Sequence, residues 1–263
     1  MSILGKIVAH KMREVAENEE VKPIKLLERS IYFDSPVVSL KDYLLRKDKA
    51  GIIAEIKRSS PSEGSIKEYL DIEQLSIAYM KAGATALSVL TDQQYFGGSN
   101  QDLSEARKFN YCPILRKDFI IDEYQVFEAK SIGADCILLI ARCLSPARCK
   151  ELARVAKKLR MEVLLEVHNK EEITSHLHDN IDLVGVNNRN LVDFNTRVET
   201  SMRLAKYIPQ GFVKVSESGI SNAAQIDHLR AEGYKGFLIG SFFMRQVRPA
   251  QACRDLINQL KSS

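Results

Sequence analysis

No apolar run in this 263-residue chain approaches the roughly 18 residues needed to span a membrane. The N-terminus, where Lys6, His10, Lys11 and Arg13 are interspersed among apolar residues, has no signal-peptide core. Cysteine is scarce. The five residues, Cys112, Cys136, Cys143, Cys149 and Cys253, are an odd number without a CxxC spacing, which offers no disulfide framework and suits reduced thiols in a cytoplasmic protein. The five histidines include no HExxH pair, and His176 and His178 stand two apart at a helix end, poor geometry for sharing a metal. No metal and no cofactor are expected. Charge of one sign is also lacking: 38 Lys plus Arg against 34 Asp plus Glu leaves +4, too balanced for a nucleic-acid footprint and better suited to a small anionic substrate. A GxGxxG turn, which a doubly wound dinucleotide-binding sheet should carry after its first strand, is absent.

What is present is a repeated unit. Eight short apolar runs alternate with helix-like stretches: Gly51–Lys57, Ala84–Leu90, Cys112–Lys117, Cys136–Ile140, Met161–Val167, Leu183–Asn187, Phe212–Ser216 and Phe237–Gly240. The runs are continuous, not alternating, as parallel strands covered by helices should be. Helices are expected over Ile72–Ala82, Asp122–Ser131, Ser145–Leu159, Ser221–Ala231 and Pro249–Leu260, with Ser145–Pro146 and Ser221–Asn222 as start signals. Length and pattern together predict one α/β domain over residues 1–263, a (β/α)8 barrel, since roughly 250 residues is its usual size. Residues 1–48 read as an N-terminal helical extension packed on the barrel. In it Ile3, Leu4, Ile7, Val8, Met12 and Val15 follow helical spacing, Pro23 breaks the helix, and Ser39 is a plausible cap for a further helix reaching Leu45.

In such a barrel catalytic groups gather where strands end. Glu55 and Lys57 lie two apart on the first strand and therefore on one face. A structural ion pair is the alternative reading of these two residues. Leu115-Arg116-Lys117-Asp118-Phe119, Glu166, Asn187-Asn188-Arg189-Asn190 and Ser216-Glu217-Ser218-Gly219 end other strands, and so many polar groups in register are costly unless used. Ser218-Gly219-Ile220 and Gly240-Ser241 put small residues and free amides after strands 7 and 8, where a phosphate is expected. Plain turn glycines are the other reading.

The blocks AEIKRSSPSEG, PILRKDFI, GVNNRNL, VSESGI and FLIGSFFM, in this order, resemble the indole-3-glycerol phosphate synthase family over nearly the whole chain, the helical extension included. The resemblance implies a carboxy-lyase of tryptophan biosynthesis that closes 1-(2-carboxyphenylamino)-1-deoxyribulose 5-phosphate into indole-3-glycerol phosphate, with release of carbon dioxide and water. It implies Lys117 as general acid, Glu166 with Lys57 or Lys117 and an assisting Glu55 in the dehydration, and Asn187 and Ser218 in the catalytic set. Lys57, Ser60 and Arg189 would hold anionic groups of the substrate, Asn187 would hold a substrate hydroxyl, Glu217 would orient a hydroxyl, and Phe96, Phe119 and Leu138 would form the slot for the aromatic ring. Ser218, Gly219, Gly240 and Ser241 would hold the phosphate. The partner is a phosphosugar, with neither nucleic acid nor membrane, and a monomer or weak homodimer is expected.

Two departures from the family stand out. Glu63 stands where a loop lysine is common, which should alter substrate affinity or closure of the Ser59–Ile66 loop, whose Ser, Pro and Gly content suits a lid. Some relatives are fused to phosphoribosylanthranilate isomerase; this chain, ending at Ser263, is expected to be monofunctional. Another phosphosugar enzyme on the same barrel, such as an isomerase, would not explain Lys57 and Lys117 together. A silent phosphate-binding scaffold would need neither acid nor base.

Overall fold

Each of the eight apolar runs forms a strand buried on both sides, with helices over one face and a packed interior against the other. In the computed structural model, which describes residues 3–190 and 194–262, they are β1 (Ile52–Ile56), β2 (Ala86–Leu90), β3 (Ile114–Lys117), β4 (Cys136–Ile140), β5 (Glu162–Val167), β6 (Leu183–Asn187), β7 (Val213–Glu217) and β8 (Tyr234–Ile239). They pair in parallel in chain order, and β8 closes on β1 with Ile52 opposite Phe237 and Ala54 opposite Ile239. The fold is the (β/α)8 barrel expected from the sequence. Leu191, the last residue of the GVNNRNL block, lies outside the described residues.

The largest boundary difference is in β8, which starts at Tyr234 instead of Phe237. Lys235 interrupts the apolar pattern, yet Tyr234 is buried and its hydroxyl donates to the Ser201 carbonyl at 2.7 Å, with a register shift before Gly236 absorbing the extra residue. Helix Ala223–Ala231 is capped by Asn222, whose side chain accepts from the Gln225 amide; Ser221, expected as the start, lies outside it. Helices Gln93–Phe96, Asn100–Phe109, Lys170–His176 and Glu199–Leu204 were not legible in the sequence, because they are short or bury few apolar side chains.

Strand parity positions the chemistry. Ile53, Leu115, Leu138, Leu164, Leu183, Val215 and Leu238 fill the lower barrel interior as one apolar cluster. Two residues on, the same inward stripes carry Glu55, Lys117, Glu166, Gly185, Glu217 and Gly240. On that face β1, β3, β5 and β7 are thus apolar below and charged at their end, β2 and β4 end instead on apolar Leu90 and Ile140, and the alternate residues pack under the helices. Of the Arg116-Lys117-Asp118 run, Lys117 and Asp118 both line the barrel cavity, but the Asp118 carboxylate is taken up by Lys11 at 3.0 Å and Arg116 at 3.2 Å. Arg116 is buried behind the sheet, where it donates to Glu128 at 2.6 Å and to the Gln125 carbonyl.

The N-terminal extension grips both ends of this barrel. At the base, helix α3 (Leu40–Leu45), after α1 (Ile3–Val21) and α2 (Ile24–Leu27), inserts Leu40 and Leu44 into the interior cluster. Ser39 caps α3 as expected, and Glu162 of β5 accepts from its hydroxyl and from the Lys41 amide. At the mouth, α1 buries Ile7, Lys11 and Val15, an i, i+4 stripe. The expected apolar stripe is corrected here: Met12 is 62% exposed, and the residue that enters is Lys11. Its ammonium lies 3.0 Å from both Asp92 and Asp118, fully buried. Burial opposes its charge, but Asp118, Asp92 and Glu14 outweigh it and hold the amine above its ordinary pKa. Among the described residues no helix is long and apolar enough to cross a membrane.

Removing Lys11 leaves Asp92 buried without its cation and Asp118 with Arg116 alone, at 3.2 Å, and deleting one partner of a buried pair costs about 3–5 kcal/mol. Lys11→Met is therefore expected to lower urea-unfolding stability by that order. A loss below about 1 kcal/mol would contradict this role.

Candidate active site

The strand ends surround a cavity of about 350 Å³ whose lining includes Ile3, Leu4 and Ile7 from α1. Glu55, Lys57, Ser60, Phe96, Lys117, Phe119, Leu138, Glu166, Asn187, Arg189, Glu217, Ser218, Gly219, Gly240 and Ser241 all line it, so the structure brings every candidate read from the sequence into one space.

At its centre, the Lys117 ammonium is 3.1 Å from Glu166 and 3.5 Å from Glu217. Lys57 pairs with Glu55 at 3.0 Å, as two inward residues on one strand should. Asn187 donates to the second oxygen of Glu166 at 3.1 Å, and its own side-chain oxygen accepts from the Arg189 amide, so β6 fixes both. Phe96 and Phe119 stand with ring centroids 6.0 Å apart, near Leu138, as an apolar wall beside the charges.

Electrostatics follows from a simple inventory. Three carboxylates share two ammonium groups, Lys57 lying on Glu55 and Lys117 on both Glu166 and Glu217. Burial opposes charge on Lys117, but Glu166, Glu217 and Glu55 overcome it and keep the amine protonated, with its pKa raised. Burial likewise disfavours ionised Glu166, yet Lys117, His168 and the Asn187 hydrogen bond hold its carboxyl below the usual value. Glu217 is the group left over. Burial, with Glu166 and Glu55 adding and Lys117 opposing, pushes it up to about 8. Neither of its oxygens accepts a hydrogen bond among the described residues. A proton on Glu217 near neutral pH removes one of the two negative charges that would otherwise compete for Lys117.

Two glycines exist to admit these carboxylates. A Cβ on Gly185 would lie 2.1 Å from a Glu217 oxygen, and one on Gly240 would lie 2.2 Å from a Glu55 oxygen. Gly185 was missed in the sequence, although a lone glycine inside an apolar strand is a signal of close approach. His168, inward at the end of β5 and 3.5 Å from Glu166, was also missed, although it stands two residues beyond a candidate. After β7 the backbone turns sharply, with φ +69° at Ser218 and +80° at Gly219. A side chain at Gly219 would meet Thr196. After β8, Ser241–Met244 is a single helical turn, shorter than a helix start expected from sequence.

The Ser59–Ile66 loop is a small hairpin, Ser59–Ser60 against Gly64–Ser65, turned by Pro61 to Glu63 and by Gly64 at φ +67°. Its tip leans over the cavity. Glu63 accepts from Arg189 at 2.7 Å and from the Ser241 hydroxyl at 2.9 Å, and Arg189 also meets the Ser62 hydroxyl. Among the described residues, no group of three or more His, Cys, Asp or Glu is arranged to hold a metal.

The family model described as Indole-3-glycerol phosphate synthase matches residues 4–256. An indole-3-glycerol phosphate synthase of Bacteroides thetaiotaomicron is 46% identical over 259 residues, 98% of this chain and 99% of the relative. One of Chromobacterium violaceum is 42% identical over 257 residues, 97% of each. Among solved structures, 3-hexulose-6-phosphate synthase from Salmonella typhimurium superposes with a TM-score of 0.63 at 12% identity, over 81% of this chain and 99% of that one. The tryptophan synthase complex of Pyrococcus furiosus gives 0.59 at 14%, over 82% and 99%. At such identities these two speak for the fold alone.

A carboxyl with its pKa raised in the folded state releases its proton later than in the unfolded chain. Over the interval from the ordinary glutamate value to about 8, the unfolded state is ionised while folded Glu217 keeps its proton. Stability therefore falls as pH rises across that window, by at most about 1.4 kcal/mol per pH unit, and the full cost is present above it. Glu217→Gln is expected to flatten this slope and to be the more stable protein at alkaline pH. An unchanged slope in urea unfolding would contradict the assignment.

Proposed function

Because the chain belongs to the indole-3-glycerol phosphate synthase family, we propose that its barrel mouth closes 1-(2-carboxyphenylamino)-1-deoxyribulose 5-phosphate to indole-3-glycerol phosphate, carbon dioxide and water. The observation that supports this best is the convergence of one buried ammonium, Lys117, with Glu166 and Glu217 in a cavity walled by Phe96, Phe119 and Leu138. The reaction needs both parts, an apolar slot for an aromatic ring and proton donors and acceptors at its edge.

In the first step the ring carbon bearing the carboxylate attacks the ketone, and the new carbon–carbon bond leaves charge on the ketone oxygen. Lys117, kept protonated by its carboxylate neighbours, donates to that oxygen. Cleavage of the bond to the carboxylate releases carbon dioxide, and its electron pair restores the aromatic ring. In the second step the hydroxyl leaves as water after receiving a proton from Lys57 or Lys117, while Glu166 takes a proton from the adjacent carbon. The lowered pKa of Glu166 suits an ionised base, and Asn187 orients it through a 3.1 Å hydrogen bond. Glu55 steadies Lys57, and Glu217, as a neutral carboxyl, can donate to a substrate hydroxyl.

Binding assigns one end of the substrate to Ser218, Gly219, Gly240 and Ser241, which would take the phosphate. Ser60 and Arg189 would meet anionic groups of the substrate, Arg189 with the fork geometry of its guanidinium.

The test is turnover followed by indole fluorescence, with purified protein and the carboxyphenylamino substrate alone. Wild type should form product, and Lys117→Ala should lose at least about a thousandfold in kcat, the scale of a lost acid and charge stabiliser together, while its affinity for the phosphate-bearing product changes little. Wild-type turnover by that variant would remove Lys117 as the acid, and absence of turnover in the wild type would overturn the function.

A further inference from the structure

Glu63 is the one sequence departure whose place in the fold has a direct consequence for the ligand. Although it sits at a hairpin tip, its side chain is only 8% exposed. One carboxylate oxygen accepts from Arg189 at 2.7 Å and from the Ser241 hydroxyl at 2.9 Å, and the other lies 3.2 Å from Arg245. Ser62, its neighbour in the turn, occupies the other terminal nitrogen of Arg189. Burial works against ionised Glu63, yet the hydrogen bonds from Arg189 and Ser241 hold its carboxyl below the usual glutamate value, so it is an anion at neutral pH. A carboxylate and a phosphate ask for the same partners, a guanidinium fork and a hydroxyl donor, and two anions cannot share one such set without strong repulsion.

We propose that Glu63 is a tethered competitor for the phosphate site: in the free protein its carboxylate holds Ser241 and Arg189, and a phosphate must displace it. This inference rests on the assignment of Ser241 and Gly240 to phosphate made above. The hairpin supplies the tether. Its two ends are joined by the Ser59–Ser65 pairing and anchored where the Arg58 carbonyl accepts from the Ile66 and Lys67 amides, so the carboxylate stays within reach at a fixed effective concentration. Displacement has a second effect, because it releases Arg189 and Arg245 together. Arg245, 62% exposed on its side chain, then becomes a further cation at the rim for the arriving anion. A loop lysine at this position would attract the ligand; Glu63 instead sets a threshold that an anion must exceed.

The test is calorimetric titration of inorganic phosphate into the full chain at low ionic strength and neutral pH, for wild type, Glu63→Gln and Glu63→Asp. The glutamine variant should bind phosphate about tenfold more tightly or better. The aspartate variant keeps the charge but is one methylene too short to reach Ser241 and Arg189 together, so it too should bind more tightly than wild type. Equal affinity of wild type and Glu63→Gln would overturn the inference. So would Glu63→Asp behaving as wild type while Glu63→Gln tightens, because only a general field of the charge would then be acting. No phosphate binding by any of the three would sink the phosphate-site assignment itself, and the inference with it.

Discussion

The ammonium of Lys117, buried among three carboxylates, is the constraint to which the rest of the barrel mouth answers. A lone cation there would be expelled by its desolvation cost, and three ionised carboxylates would repel one another. The arrangement holds because Glu166 lies at 3.1 Å and is itself pinned by Asn187, and because Glu217 keeps a proton when Glu166 does not. Glycines at 185 and 240 give the carboxylates their room. The apolar layer beneath, from Ile53 to Leu238, keeps water out from below.

The extension and the site are joined through one step of the chain. Asp118 follows Lys117 directly and gives its carboxylate to Lys11 of α1 at 3.0 Å and to Arg116 at 3.2 Å. Arg116, on the other side, ties β3 to Glu128 behind the sheet. Lys117 is therefore flanked by two buried ion pairs that restrict β3. The helix secured by Lys11 supplies Ile3, Leu4 and Ile7 to the cavity wall, so an extension too short to form its own core completes the site.

Much of this was legible in sequence. Continuous apolar runs separated by helical stretches specify parallel strands, and the parity of Glu55 with Lys57 already placed both on one face. Other features escaped for physical reasons. A buried lysine looks like a surface residue until Asp92 and Asp118, about 80 and 107 positions away in the chain, are brought to it. Helices such as Asn100–Phe109 bury only two apolar side chains, Leu103 and Ala106, beside Asp102, so little apolar sequence marks them. The destination of Glu63 could not be read, since a loop carboxylate carries no pattern that names Ser241 and Arg189 as its partners. The sequence did mark that residue as a departure, and its contacts give the departure a meaning.

The chemistry of the barrel mouth depends most on the charge state of the central cluster. The most direct measurement of that state is a carbon-13 NMR titration of labelled glutamate carboxyls in wild type and in Glu217→Gln. One resonance titrating near pH 8 in the wild type and missing from the variant is the expected result. If every carboxyl instead titrates in the ordinary glutamate range, the cluster does not hold its extra proton, and Lys117 and Glu166 lose the electrostatic basis of their roles.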